Sequence, residues 1–520
     1  MNAIKSKHKS DECRSQGNKL YANKNFFDAL VKYNESLCLA EPGTENLGLA
    51  YANRSAVYFE MKLFDKCLRN VELARQNRYP EKNFEVLKKR EEKCADLKKN
   101  SKDDHKPIDP WKILKLAQPT STKLPFIADC LEMKIDKKFG RHIVTNRPLR
   151  VGEVIAIENP FCRIVQKKFI HQRCAGCFND DLLDLLPCSG CDKVMFCSAC
   201  ESNNAVHAIE CSIPEDLTFS LTSTARMALH TFFTALSLFD GSVIQLEAFL
   251  EGNSESRTVF DLQNAFDKKQ TLLAVHSLVV NDKAEVDEAK FDEIFNASPQ
   301  LRQMWAAKSA FIKTFLKRQT QIATANYHEI YSWPLKRGGF PDDDSDDHNQ
   351  ALAYKRGVLP CGNGSYPFCS LVNHSCASNL CKTFVEGKLL HIVTMPIDKG
   401  EQLFDSYGHS FTNMPKEQRQ TELQKQYRFK CACSACKNDW PLLPNLKVID
   451  KACFNKAKKA CRDLSSSKGQ INQKKAFESY KETCDSIEKG RKNFPSIEIC
   501  SMLENFVIAG YQGFWKNLKL

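Results

Sequence analysis

The series Asn373-His374-Ser375-Cys376, then Asp405-Ser406-Tyr407-Gly408, then Phe429-x-Cys431-x-Cys433-x-x-Cys436 runs in that order through one short span. The order carries the information, since an Asn-His-Ser-Cys run alone says little. Glu401 to Tyr407 reads as a strand ending on a tyrosine. Cys431, Cys433 and Cys436 offer three thiolates, one short of the tetrahedron that zinc takes. Strand-like segments precede them from Phe384 to Phe404, with turns at Glu386-Gly387 and Asp398-Lys399-Gly400.

Upstream, Cys174-x-x-Cys177, Cys188-x-x-Cys191, Cys197-x-x-Cys200 and His207-x-x-x-Cys211 supply eight ligands in four pairs. Eight ligands make two closed tetrahedral sites, with no place left for a reactive water, so the expected role is structural. The chain has 24 cysteines. Met1 to Ser10 is basic and polar with no apolar stretch after it, which argues against a secretory signal. A reducing cytoplasm or nucleus is then expected, and paired cysteines point to zinc rather than to disulfides. Cysteines standing singly in helical contexts, such as Cys67 and Cys500, read as small buried hydrophobes.

A chain of 520 residues with 42% hydrophobic and 27% charged side chains describes a multidomain globular protein. His230 to Leu250 is interrupted by Asp240, Gly241, Gln245 and Glu247, which excludes a membrane span. The net charge of +12 is compatible with acidic partners or nucleic acid and establishes neither. The zinc module lacks the helix spacing of groove readers, so no direct DNA binding is expected.

The first hundred residues are helical and repetitive. Gly17, Phe26, Ala29, Tyr33 and Ser36 return in role as Ser55, Phe64, Cys67, Val71 and Ala74, each 38 residues on. A tetratricopeptide (TPR) period of about 34 residues with a longer loop at Glu41 to Asn46 gives that offset. Two repeats need a neighbour over their last apolar face, and Glu81 to Leu97 can supply it. Residues 101–124 read as a linker. Arg141 to Val144 and Val154 to Ile157 read as short strands, residues from about 215 to 335 as helical, and Asp342 to Asp347 as an exposed acidic loop.

These motifs resemble the SET and MYND (SMYD) family of protein-lysine methyltransferases, most closely its subgroup with N-terminal TPR repeats. The resemblance spans nearly the whole chain and is weakest in the linker and beyond residue 441. It implies an α+β multidomain fold: TPR-like repeats at 10–100, linker at 101–124, the N-terminal part of SET at 125–173, a MYND zinc finger at 174–211, a helical SET insertion at 212–359, the SET catalytic core at 360–410, a zinc-bound post-SET segment at 411–440 and a helical region at 441–520. It implies three zinc ions. Cys174, Cys177, Cys197 and Cys200 would hold one; Cys188, Cys191, His207 and Cys211 a second. Cys431, Cys433 and Cys436 would hold the third with Cys376, although Cys381 or Cys369 could complete that set instead.

The implied reaction is methyl transfer from S-adenosylmethionine to a lysine ε-amine of a histone or non-histone protein. The amine must be neutral although its usual pKa is about 10.4, and a narrow apolar channel disfavours the ammonium form. By resemblance Tyr407 is the aligning tyrosine, Tyr427 lines the lysine channel, and Phe429 packs on adenine. Asn373, His374 and Asn326 would bind cofactor. The chain departs from the family at Lys137-Lys138-Phe139-Gly140: only Gly140 remains of a Gly-x-Gly turn, and Lys137 falls where a carboxylate-binding arginine is common. The third zinc-finger pair has two intervening residues where three are usual, and the motif continues Ala377-Ser378-Asn379 where Cys-x-Pro-Asn is usual. An alternative reading is a catalytically weak TPR/MYND adaptor, a transcriptional or chaperone-linked scaffold with corepressor partners. Arg14, Asn18 and Asn53, with Lys88 or Arg90, resemble positions that grip the C-terminal carboxylate of Hsp90-type chaperones; solvated helix charges are the other reading of those residues.

Overall fold

The computed structural model describes residues 5–100, 111, 114–179, 183–201, 204–332, 359–456, 459, 473–504 and 506. The acidic run 342–347, most of 101–113 and the end of the C-terminal region lie outside them.

Five helices open the chain: α1 (Lys7–Ala22), α2 (Phe26–Leu39), α3 (Glu45–Glu60), α4 (Phe64–Gln76) and α5 (Phe84–Asn100). They pack as successive hairpins. Gly17 lets α1 approach α2 closely: a Cβ there would stand 2.5 Å from the Tyr33 ring. Leu87 and Cys94 of α5 are fully buried, Leu87 in one apolar cluster with Ala52 and Val71 and Cys94 in another with Val57 and Cys67, the two sulfurs 3.2 Å apart, so α5 covers the face that the fourth helix would otherwise expose.

The opposite side of this array is not solvent. Arg54 of α3 is fully buried and its guanidinium reaches Asp184 Oδ1 at 2.5 Å, Asn34 Oδ1 at 2.8 Å, Asn70 Oδ1 at 2.9 Å and the Leu185 carbonyl at 2.6 Å. Arg69 reaches the other Asp184 oxygen at 2.7 Å. A carboxylate sealed from water is tolerated only with such partners. Asp184→Ala is therefore expected to destabilise the chain by about 3–5 kcal/mol, read by guanidinium unfolding; an unchanged midpoint would show that the array and the cysteine module are not clamped there.

The β-structure forms small sheets. Strands β1 (Leu131–Asp136) and β2 (Gly140–Thr145) make a hairpin. β3 (Val154–Glu158) closes a three-stranded sheet with β10 (Leu380–Val385) and β11 (Lys388–Val393), while β4 (Arg163–Val165) joins β7 (Tyr327–Ser332) and β8 (Leu359–Ser365). β5 (Leu186–Pro187) and β6 (Met195–Phe196) lie inside the cysteine module; β9 is Asn373–His374 and β12 Phe404–Asp405.

Three expectations need correction. Residues 114–124 are no free linker: Leu114 and Leu124 are buried, and the Ala117 N–H donates to the Val154 carbonyl at 2.8 Å. Scattered apolar residues in a polar run hid this edge contact. The region read as helical to about 335 ends at Asn326, where the helix Pro299–Asn326 runs directly into β7; its alternating burial, with His328 and Ile330 inward, is a strand signature. The strand ending at Tyr407 is only two residues long, because β12 is set by its pairing with β9.

The helical insertion has its own aromatic core, in which Phe232, Phe233, Phe295 and Phe315 interlock. The C-terminal helix Gln473–Gly490 and the residues after it lay Tyr480, Ile487, Ile499 and Met502 on Val154, Leu390 and Ile392. No helix among the described residues is long and apolar enough to cross a membrane.

Candidate active site

The parallel pair β9–β12 puts Asn373 beside Phe404 and His374 beside Asp405. The Ser375 N–H donates to the Asp405 carbonyl at 3.0 Å. Two residues beyond β12, the Tyr407 N–H donates to His374 Nδ1 at 3.1 Å, and the Tyr407 hydroxyl donates to the Val372 carbonyl at 2.9 Å. Tyr407 is thus tied at one end to His374 and at the other to Val372, the residue just before the Asn-His-Ser-Cys segment. Burial pushes His374 down to about 3, so the ring is neutral and Nδ1 can accept.

The helix Lys416–Tyr427 ends with Arg428 in the left-handed conformation, φ 64°. That reversal returns the chain so that Tyr427 and Phe429 both face Tyr407. The Tyr407 and Tyr427 rings stand 4.6 Å apart; Phe429 lies 6.5 Å from Tyr407, near perpendicular, and 6.1 Å from His374. Burial raises both phenols above their usual range, which keeps them protonated.

Asn373 Nδ2 donates to the carbonyls of Phe139 at 3.0 Å and Arg141 at 3.3 Å. Those carbonyls flank Gly140, which has φ +61° and no neighbour within 4 Å of where a Cβ would stand. The tip of the β1–β2 hairpin is thereby fixed against β9, with open space at its glycine. Lys137 lies exposed in the same turn. Asn326 Nδ2 donates to the carbonyls of Val279 at 2.6 Å and Ile322 at 2.8 Å, so its nitrogen is engaged by backbone.

The twelve expected metal ligands assemble into three sets of four, each with ligand atoms within 4.8 Å of one another: Cys174, Cys177, Cys197 and Cys200; Cys188, Cys191, His207 and Cys211; Cys376, Cys431, Cys433 and Cys436. A tetrahedron with metal–sulfur bonds of about 2.3 Å needs sulfurs about 3.7 Å apart. Cys177–Cys197 at 3.6 Å, Cys188–Cys211 at 3.7 Å, Cys376–Cys436 at 3.5 Å and Cys376–Cys431 at 3.9 Å fit it. Neither Cys369 nor Cys381 is part of the third set. Arg419, buried, donates to Cys436 Sγ at 3.6 Å, and a cation beside thiolates favours their charged form.

Several residues around this site had no signal in the sequence. Lys382 Nζ contacts Asp405 Oδ2 at 2.7 Å and the Ser406 carbonyl at 3.1 Å, and so braces the backbone just before Tyr407. Burial opposes both charges, yet the pair more than offsets it: Lys382 is raised and Asp405 lowered. Cys369 and His391 complete this buried group, 3.4 Å apart. Glu158, at the end of β3, accepts the N–H groups of Phe368 at 2.7 Å and Cys369 at 2.9 Å. Each of these is a single polar residue in an apolar strand or turn, meeting partners far away in sequence.

Burial raises Glu158 from 4.5 to about 8, against the pull of those two N–H groups. The folded chain therefore keeps a proton that the unfolded chain loses. Its contribution is full below about pH 4.5 and is lost as pH rises through about 8. Unfolding free energy is expected to fall between pH 5 and 8, with a shallower slope in Glu158→Gln; denaturant titrations at both pH values measure it, and equal slopes would refute the assignment.

The SET domain profile matches residues 140–408, more than half of the chain. The chain belongs to the SET-domain family. It is similar to the protein-lysine N-methyltransferase SMYD4 of Danio rerio, 21% identical over 511 residues, covering 84% of this chain and 66% of the relative. It is similar too to SMYD4 of Homo sapiens, 21% identical over 537 residues, covering 82% and 66%, and to the histone-lysine N-methyltransferase ASHR1 of Arabidopsis thaliana, 24% identical over 327 residues, covering 60% and 56%. The chain thus spans just under two thirds of the length of the SMYD4 relatives.

Proposed function

We propose that this chain is an S-adenosylmethionine-dependent protein-lysine N-methyltransferase of the SMYD type. The observation that carries the proposal is the convergence of Asn373, His374, Tyr407, Tyr427 and Phe429 on one corner, with Cys376 joining that corner to the post-SET cysteines. When bound, the cofactor supplies a methyl group on a positively charged sulfonium. The residues present suit it. Aromatic faces at Tyr407 and Phe429 favour a cationic donor, and the hairpin tip at Gly140 leaves room for backbone approach.

Tyr407 and Tyr427 orient the incoming amine. Their raised pKa values keep both hydroxyls protonated, and the apolar wall they build disfavours the ammonium form of a lysine. The nearest buried carboxylate, Asp405, is paired with Lys382 and is no base for the amine. Alignment and desolvation are then the main contributions of this site.

The finer architecture follows the same reading: α1–α4 as two TPR-type repeats, Cys174–Cys211 as a MYND finger, and three zinc ions, supported by the 38-residue offset and the three ligand sets. Zinc–thiolate sites of this kind suit the reducing cytoplasm and nucleus. Asn18 and Asn53, joined at 2.7 Å, are the proposed grip for a chaperone-type C-terminal carboxylate; Arg14, on the same helix as Asn18, is paired with Asp11 at 2.8 Å and would have to leave it to join them. If Asn18→Ala with Asn53→Ala leaves binding of a peptide ending Glu-Val-Asp unchanged, that role is wrong.

The test of the enzymatic reading is incubation of the purified, zinc-loaded chain with cell extract and S-adenosylmethionine, followed by a mass-spectrometric search for methylated lysines. Calorimetric titration of the cofactor accompanies it. New methyl-lysine with wild type and none with Tyr407→Phe supports the proposal; no cofactor binding by the folded protein overturns it.

A further inference from the structure

Away from the aromatic corner, a cavity of about 90 Å³ lies where β4, the cysteine module and the helix Ser223–Ser237 meet. Arg163, Arg173, Lys193 and Arg226 line it. Among its described lining residues Glu210 is the one carboxylate, and it is engaged by His230 Nδ1 at 2.7 Å.

Three of the cations make no direct ion pair among the described residues, although Glu210 is close enough to interact with the charges of Lys193 and Arg226. Lys193 is 5% exposed and donates to the carbonyls of Glu210, at 3.0 Å, and Ile213. Arg163 donates through two nitrogens to the Gly176 carbonyl, at 3.0 and 2.6 Å. Arg226 donates through one nitrogen to the Val165 carbonyl at 2.9 Å, while its Nε is buried without a hydrogen bond. Burial pushes Arg226 down to about 10. Withdrawing several cations from water around a shared space is unfavourable unless an anion joins them. Carbonyl oxygens satisfy some of the N–H groups and Glu210 offsets part of the charge, which leaves a surplus of positive charge on the wall and the Arg226 Nε unmet.

The rest of the wall is apolar. Arg226 lies over the Phe219 ring, 4.4 Å from its centre, and Ile164, Ile213 and Leu229 complete the lining. Ligand sites commonly combine such a surface with a few convergent polar groups. At 10–15 Å³ for each water-sized body, the space suits an occupant of roughly six to nine heavy atoms.

We propose that this cavity is a binding site for a small organic carboxylate with an apolar body, the carboxylate meeting Arg226 and Lys193 and the body resting on Phe219. The site is separate from the methyl-transfer corner and needs nothing from it.

Isothermal titration of the full zinc-loaded chain tests this with three probes: benzoate, its neutral analogue benzamide, and inorganic phosphate. Saturable benzoate binding is expected, weakening with added salt, at least about tenfold tighter than either of the others, and unchanged in Tyr407→Phe. Arg226→Gln is expected to weaken benzoate at least about tenfold. Its melting temperature without ligand is expected to be unchanged or higher, because it removes a charge that burial disfavours and Glu210 only partly offsets. Benzamide equal to benzoate would remove the anion from the argument, and phosphate equal to benzoate would remove the apolar body. Benzoate binding retained in a folded Arg226→Gln protein, or no benzoate binding to wild type, overturns the site. If Arg226→Gln does not fold, Arg226→Lys serves: it keeps the charge but loses the planar fork, and an undiminished affinity there counts equally against the proposal.

Discussion

Tyr407→Phe is expected to lower methyl transfer by about 10²-fold or more, the scale of a misaligned reacting group, while cofactor affinity changes by less than about threefold. The asymmetry comes from how the residue is held. Its backbone N–H donates to His374, and a phenylalanine keeps that bond. Its ring packs on Tyr427 and His374, and a phenylalanine keeps that too. Only the hydroxyl is lost, with its bond to the Val372 carbonyl. The change therefore reaches the placement of the amine and the oxygen atoms around the methyl group, and leaves the surface proposed for adenine alone. Single-turnover rates and a calorimetric dissociation constant separate the two effects. A variant that transfers at wild-type rate would remove Tyr407 from the chemistry.

Cys376→Ser, or removal of metal by a strong chelator, is the second large effect. Cys376 follows His374 by two residues and contributes to the same ligand set as Cys431, Cys433 and Cys436. That set holds the return segment carrying Phe429, and through it the position of Tyr427. Structural zinc in small thiolate sites contributes on the order of 10 kcal/mol to ordering, far more than the packing of two aromatic rings. Loss of the zinc proposed for this set is expected to abolish transfer, weaken cofactor binding at least about tenfold, and lower the melting temperature by about 5 °C or more. Cys188→Ser, in the upstream module, is the control: it should destabilise the protein but spare cofactor affinity at temperatures where it stays folded. Equal cofactor affinity in wild type and a folded, metal-free Cys376→Ser protein would show that the post-SET ion does not organise the site.

The parts of this fold legible in the sequence are those whose chemistry is local. Zinc ligation restricts spacing along the chain, so the pairs from Cys174 to Cys211 mark the module in the sequence alone. The small-residue and aromatic pattern of α1–α4 is likewise local, because each helix meets its neighbour in sequence. The ordered set of Asn373, His374, Tyr407, Tyr427 and Phe429 was readable through family resemblance, and the structure brings it to one corner. What stayed hidden depends on single side chains meeting across long separations. Lys382 and Asp405 are ordinary residues until β10 and β12 are adjacent. Asp184 is an ordinary loop acid until Arg54 and Arg69 reach it. The edge contact at Ala117 and the start of β7 at Tyr327 were masked by polar neighbours and by a preceding helix. The basic cavity draws its cations from three separate segments, none conspicuous alone.

The contact between Arg54 and Asp184 bears on how the first hundred residues can be studied. Deleting the array would strand Asp184 in an apolar interface with neither guanidinium. The shortened protein would then lose activity or solubility for reasons unrelated to anything the array recognises. Point changes on its exposed face, away from Arg54, Arg69 and Asn70, are the informative way to ask what that region recruits.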